Sequence, residues 1–344
     1  MKAAKQLWFS GTGNRIGWTI GLLVLLGACI AYGQLAYGSP TLSVPELARI
    51  MFGRGGEELQ RIIVLDMRVP RLVLGLLVGA MLGAAGTIMQ GAMNNVLAGP
   101  ELLGVSSGSS LAIAIIAVLH LPLPLTSYPV FALLGGLLGG CLVVLAAKGS
   151  HGAISMLLIG LAVSAVLNGM LIILIALGTS NDVNLLYLYL LGSLANRHWD
   201  HVLHTIPWFL VAIPLSLACI RLLNVLRLGD ESAASLGVSI LRVRIAMLVL
   251  CTLLVAVTVA QCGPIGYISL LAPHLTRFWL GTVDAKAVLP LSMLVGAVLL
   301  VAADTAARIF LYPIEIPVGI WTTLLGGGSF LVLVLTGTRR RTYE

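Results

Sequence analysis

The stretch "DMRVPRLVLGLLVGAMLGAAG", residues 66–86, decides the fold. Two arginines, Arg68 and Arg71, flank Pro70, and beyond them the chain runs apolar. A span needs roughly 20 apolar residues to cross the hydrocarbon core. Gly75, Gly79 and Gly83 recur at spacing four, with Gly86 one turn on. On a helix they form one ridge of small residues, which lets a neighbouring backbone approach closely. A second ridge, "LLGGLLGG" at 133–140, carries the same signal. The pattern predicts a tightly packed bundle of membrane helices.

Composition agrees. Of 344 residues, 59% are hydrophobic and 10% charged, with mean hydropathy +1.04. A soluble domain carries about 25% charged residues, so the chain reads as a polytopic membrane protein. The net charge of +7 fits basic loops on the cytoplasmic side. No clustered basic face suggests nucleic-acid binding. Cys29, Cys141, Cys219, Cys251 and Cys262 stand singly in apolar runs without a CxxC pair. They read as small buried hydrophobes, with no disulfide framework and no zinc site. Lys2, Lys5 and Arg15 precede an apolar run that exceeds a usual signal core and reads as a retained first span.

Hydropathy predicts ten spans: 16–36, 71–93, 104–120, 127–147, 153–177, 202–222, 244–261, 264–281, 288–305 and 317–337. With ten, both basic termini fall on one side, together with Lys148, Arg221, Arg227, Arg242, Arg244 and Lys286. That side is expected to be the cytoplasm. Arg68, Arg71 and Arg308 then lie outside, against the usual bias. Snorkelling at helix ends is the plain explanation, and Asp304 stands four residues before Arg308 as an i,i+4 ion partner. Glu315, just before Pro317, is expected to meet the positive end of the last helix dipole.

Several chemistries lack their motifs. No G-x-x-x-x-G-K-[ST] loop occurs, so the sequence shows no ATP-binding P-loop. "GTGNRIG" at 11–17 has the wrong glycine spacing for a dinucleotide site. His198, His201 and His204, with Asp200 among them, lie at the start of a span and read as a wet interfacial segment. The scarcity of charge inside spans argues against an ion-coupled pump built on buried acids. The loop "LRLGDESAASLGVSILRVR", residues 226–244, holds a short helix. Asp230 is placed to cap it, Glu231 favours its first turn, Ala233 and Leu236 are apolar, and Gly237 stops it.

Together these residues resemble the FecCD-type permease family, the membrane subunits of ABC importers for iron–siderophore chelates, haem and cobalamin. The resemblance covers nearly the whole chain. It rests on "RVPR" (68–71), "GTIMQGAMNNVLAGPELLGVSSGSS" (86–110), "LGDESAASLGV" (228–238), "GPIGYISLLAPHLTR" (263–277) and "ADTAARIFLYPIEIPVGIWTTLLGGGSF" (303–330). Val96 stands where the family usually has proline, Gly99 where it often has an acid, and "GGGSF" (326–330) replaces Gly-x-Pro-x-Phe.

The resemblance implies an all-α, type II ABC importer permease fold, with residues 1–344 as one transmembrane permease domain. It implies two copies of an ATPase subunit, an extracytoplasmic binding protein, a second permease subunit (identical or paralogous) and a lipid environment. It implies no cofactor, no catalytic residue and no nucleic-acid partner. Localisation is expected in a bacterial cytoplasmic membrane, with both termini inside. By matching position, Arg68, Arg71 and Arg308 would receive acidic residues of the binding protein. Gly229, Asp230, Glu231, Ala233, Leu236 and Gly237 would couple to the ATPase. An iron–siderophore complex is the expected cargo, with cobalamin or haem as alternatives. Readings from other classes, an ion-coupled secondary transporter or an intramembrane metalloenzyme, lack buried ion ligands or rest on the three histidines alone.

Overall fold

The computed structural model describes residues 12–38, 40–53, 57–149, 152–310 and 314–341, with side chains only between 16 and 329. The described residues are helices and short connections: α1 (Thr12–Ala36), α2 (Val44–Met51), α3 (Glu58–Ala92), α4 (Val105–Val118), α5 (Tyr128–Ala147), α6 (Ala153–Leu177), α7 (Ser180–Leu190), α8 (Trp199–Ala218), α9 (Ile220–Leu226), α10 (Asp230–Ser235), α11 (Ile240–Cys262), α12 (Ile268–Leu280), α13 (Ala285–Ile309) and α14 (Val318–Arg341). Each of the ten expected spans overlaps one of these helices, and 202–222 runs past the end of α8 into α9. Among the described residues, seven are long and apolar enough to cross a membrane. Large apolar side chains such as Leu25, Leu138 and Ile172 point outward, as they do when the solvent is lipid.

α3 starts at Glu58, well before the expected 71. Its charged first turns hid it from hydropathy. Pro70 has no N–H to donate to the carbonyl four residues back, and the backbone widens into a π-helical segment at Ile63–Arg68. The loosened carbonyls find partners on α8: Trp199 Nε1 donates to Leu65 O at 2.8 Å, and His198 Nδ1 lies 3.2 Å from Asp66 O.

α3 forms the axis of the bundle, and its glycine ridge faces α13. A Cβ at Gly79 would overlap the backbone of Gly296 and Ala297, and one at Gly83 would overlap the backbone of Ser292. Farther along, Gly86 abuts the backbone of Ser269 in α12. The second ridge behaves alike: Gly135 and Gly139 of α5 meet Gly108 and Gly104, at and before α4. Helix association in lipid relies on such close packing, because hydrophobic exclusion is absent there.

Of the cysteines, Cys251 and Cys262 are buried as expected. Cys219 is half-buried, and Cys29 and Cys141 lie on outward helix faces. The apolar environment foreseen for those two is the surface of the bundle rather than its core.

Two segments leave helical geometry inside the bundle: residues 191–196, between α7 and α8, and 263–267, between α11 and α12. They pair with one another. Ser193 N–H donates to Cys262 O at 2.7 Å, and Gly319 N–H of α14 donates to Gly192 O at 3.0 Å.

Candidate functional site

The Arg71 end of the bundle gathers the charges that the sequence scattered. Arg71 projects from α3 into a buried pocket. Its Nε and Nη2 donate to the two oxygens of Asp304 on α13, both at 2.8 Å. Nη1 donates to Glu315 Oε2 at 2.9 Å. Gln34 of α1 adds a 2.8 Å bond to Asp304. A planar guanidinium matches a carboxylate in this bidentate way, and a lysine does not.

Arg68 and Arg308 serve a different purpose. The last carbonyls of a helix have no partner within it. Arg68 donates to Leu35 O at 2.6 Å and to Pro40 O at 2.7 Å. Arg308 donates to Gln34 O at 3.2 Å and to Tyr37 O at 3.1 Å. Both therefore cap the C-terminal end of α1, where the dipole favours cations. Arg68 is only 4% exposed, so it neither snorkels nor stands free.

One expectation is corrected here and one is extended. Asp304 does not turn to Arg308 four residues on; its oxygens are taken by Arg71 and Gln34. Glu315 is more than a dipole partner for the last helix: it bridges Arg71 and Arg308, the latter at 3.6 Å, and its side chain remains 46% exposed.

A cavity of about 750 Å³ opens over this cluster, with Gln34, Arg68, Arg71, Arg308 and Glu315 in its wall. A second cavity of about 650 Å³ reaches inward past Tyr189, Ser193 and Pro317. Asn196, Arg197 and Glu315 line both. Arg197 Nη1 lies 3.2 Å from His201 Nε2, while its Nε has no partner. The histidine segment thus supports cavity walls. Among the described residues, no group of three His, Cys, Asp or Glu side chains could hold a metal ion.

The opposite end carries α10. Gly229 (φ 95°) precedes it and Gly237 (φ 80°) follows it. Gly237 N–H donates to Ala234 O at 2.9 Å and Val238 N–H to Ala233 O at 3.2 Å, the two bonds of a Schellman stop. Asp230 was expected to cap this helix through its side chain. The N-cap is Gly229 instead, and Asp230 makes a bidentate pair with Arg244 at 2.8 and 2.9 Å. Arg244 Nε also donates to Ala92 O at 2.9 Å, the end of α3, so one buried guanidinium bolts α10 to the bundle axis. Ala233 is fully buried, which makes it an anchor and removes it from any contact surface. Glu231, Leu236 and Gly237 face outward, Leu236 at 62% exposure.

Beside α10, Asn224 and Asp284 tie α9 to α13. Asn224 Nδ2 donates to Asp284 Oδ1 at 2.7 Å, and Ala285 N–H donates to Asn224 Oδ1 at 2.9 Å. The Lys286 backbone N–H and the Asn224 amide hold the Asp284 carboxyl below its usual range. Sequence reasoning missed this bridge and the Asp230–Arg244 pair, since neither partner is a helical neighbour of the other.

Comparison with known proteins follows the same outline. The profile of the FecCD transport family matches residues 22–336. The hemin transport system permease protein HmuU of Yersinia pestis is 36% identical over 327 residues, 94% of this chain and 96% of that protein. The Fe(3+) dicitrate transport system permease protein FecD of Escherichia coli is 38% identical over 322 residues, 93% of this chain and 99% of that protein. A solved structure described as an inward-facing conformation of a metal-chelate type ABC transporter superposes with a TM-score of 0.83 at 30% identity. It covers 93% of this chain and 99% of that one.

Proposed function

The chain belongs to the FecCD transport family and is an ABC transporter permease of multi-pass, all-helical architecture; from that premise we propose that it carries a ferric chelate across the cytoplasmic membrane as half of a permease pair. An iron–siderophore complex is the proposed cargo. Relatives named for ferric dicitrate and hemin support this chemical class.

The observation that carries the reading is α10. It is a short helix stopped at both ends by left-handed glycines, bolted to α3 through Arg244, and it turns Leu236 outward. A rigid exposed plug of that kind suits insertion into a groove on another protein. We assign the groove to a separate ATPase subunit, two per complex, because the sequence holds no P-loop. Glu231, Leu236 and Gly237 form the contact; Gly229, Asp230 and Ala233 shape and hold it.

The cavity at the Arg71 end receives the binding protein. An acidic side chain from that partner competes with Glu315, the exposed carboxylate of the cluster, for Arg71 and Arg308. Arg68 keeps the floor in place by capping α1. The basic loops favour α10 and both termini in the cytoplasm and the Arg71 end outside.

Uptake of a panel of iron chelates, haem and cobalamin by a strain lacking this permease, with and without the gene restored, tests the reading. Restored uptake of a ferric chelate is expected. Uptake of cobalamin alone would move the cargo, and transport independent of any ATPase would overturn the mechanism. Reporter fusions after residues 60, 150, 230 and 344 are expected to read outside, inside, inside and inside.

A further inference from the structure

We propose that Tyr267 is a gate residue of the translocation pathway, seated on Gly326 and Gly327 of α14 and setting the width open to cargo; this rests on the permease reading above. Cys262 bonds to Ser193, whose neighbour Leu194 packs near Gly75 of α3. Ser269 lies against Gly86 of the same helix. Residues 263–267 therefore descend between the levels of Gly75 and Gly86, about 16 Å apart along α3. That is well inside the bilayer. Non-helical backbone at such depth cannot face lipid; it is tolerated where protein buries it or where it lines a water-filled space.

Tyr267 closes this segment with φ 66°, in the left-handed region that a bulky side chain seldom adopts. The surroundings must hold it there, and α14 shows how. A Cβ at Gly326 would overlap Tyr267 Cβ and come within 2.7 Å of its Cγ. A Cβ at Gly327 would lie 3.5 Å from the ring Cζ and hydroxyl. At Gly328 nothing stands within 4 Å. The half-buried ring thus lies along bare backbone, its root against Gly326 and its hydroxyl end against Gly327. This accounts for glycine at 326 and 327 in a membrane span, where it otherwise weakens the helix.

The exposure of α14 points the same way. Thr323, Leu324, Leu325 and Ser329 flank the two glycines in sequence and are exposed in the single chain, so the segment that seats the ring carries an uncovered face. A glycine bed without side chains to clamp the ring lets it swing or lets α14 slide past it. The pathway width then depends on one aromatic side chain.

The test uses the full complex with its ATPase, reconstituted in liposomes loaded with carboxyfluorescein. Without ATP, Tyr267→Ala is expected to leak dye about fivefold faster than the parent, because pore diameter sets passage. Tyr267→Phe should match the parent, and Gly326→Leu, which evicts the ring, should leak like the alanine variant. An assembled Tyr267→Ala complex that leaks no faster than the parent would overturn the proposal. Should that variant fail to assemble, Tyr267→Cys in a background free of other cysteines reports instead. Its labelling by a membrane-impermeant thiol reagent should change several-fold on ATP turnover; no labelling in either state would overturn the gate. The dye needs no cargo, so failure of the ferric-chelate reading leaves this outcome readable on its own.

Discussion

Arg71 and Asp304 face each other across the α3–α13 seam and share two parallel hydrogen bonds of 2.8 Å, with Asp304 only 1% exposed. The pair ties the helix that forms the bundle axis to its most intimate neighbour, just beyond the glycine ridge. It also supplies Glu315 with a fixed cation, so that an exposed acid reads the position of a buried one.

Removing half of a buried pair leaves a charge without compensation, at a cost of about 3–5 kcal/mol. Asp304→Ala is expected to lower the thermal midpoint of the detergent-purified protein sharply. Asp304→Ala combined with Arg71→Met should recover much of that loss. A double variant no more stable than the single one would show that the two residues act separately.

Glu315 is the cluster's exposed carboxylate, and exposed pairs contribute about 0–1 kcal/mol. Glu315→Gln should therefore leave the midpoint nearly unchanged. It should speed binding-protein association several-fold, because rim charges act mainly on the on-rate. The gain should shrink with added salt as the charges are screened. Slower association in the variant, measured by surface-immobilised kinetics at low salt, would remove Glu315 as a competitor of the docking acid.

Leu236 and Arg244 separate contact from support. Leu236→Asp changes an exposed side chain, and such changes shift stability by about 0.5 kcal/mol or less. The variant should fold and yet lose uptake and the stimulation of ATPase by loaded binding protein. Arg244→Ala should instead destabilise α10 and the end of α3 together, since Asp230 and Ala92 O lose their donor. Normal uptake by Leu236→Asp would sink the coupling assignment.

The glycines divide by what a Cβ would meet. At Gly83 it would overlap the backbone of Ser292, while at Gly21 nothing lies within 4 Å. Gly83→Leu forces α3 and α13 apart and should abolish folded protein, well beyond the typical 1–3 kcal/mol of overpacking. Gly21→Leu should be silent or slightly stabilising in α1. Size-exclusion profiles of the two variants check the contrast, and folded Gly83→Leu would disprove the close seam.

Much of this was legible in the sequence because the bilayer imposes its rules locally. Long apolar runs, glycine at spacing four and basic loops are properties of contiguous residues, and they marked ten helices and both ridges. The short helix α10 was legible for the same reason: its acidic first turn and its stop at Gly237 lie within one short segment. The departure at 326–330 was visible as well, but not that Gly326 and Gly327 lie against Tyr267. What only the tertiary structure decided is which distant groups meet. Asp304 has Arg308 as its sequence neighbour and Arg71 as its partner; Asp230 pairs with Arg244 rather than capping its own helix; Gly326 and Gly327 make room for Tyr267 from another element. Local sequence sets which side chains share a helix face, but a buried charge or ring takes whichever partner satisfies it in the packed bundle. That partner depends on how the helices cross, which no single stretch encodes.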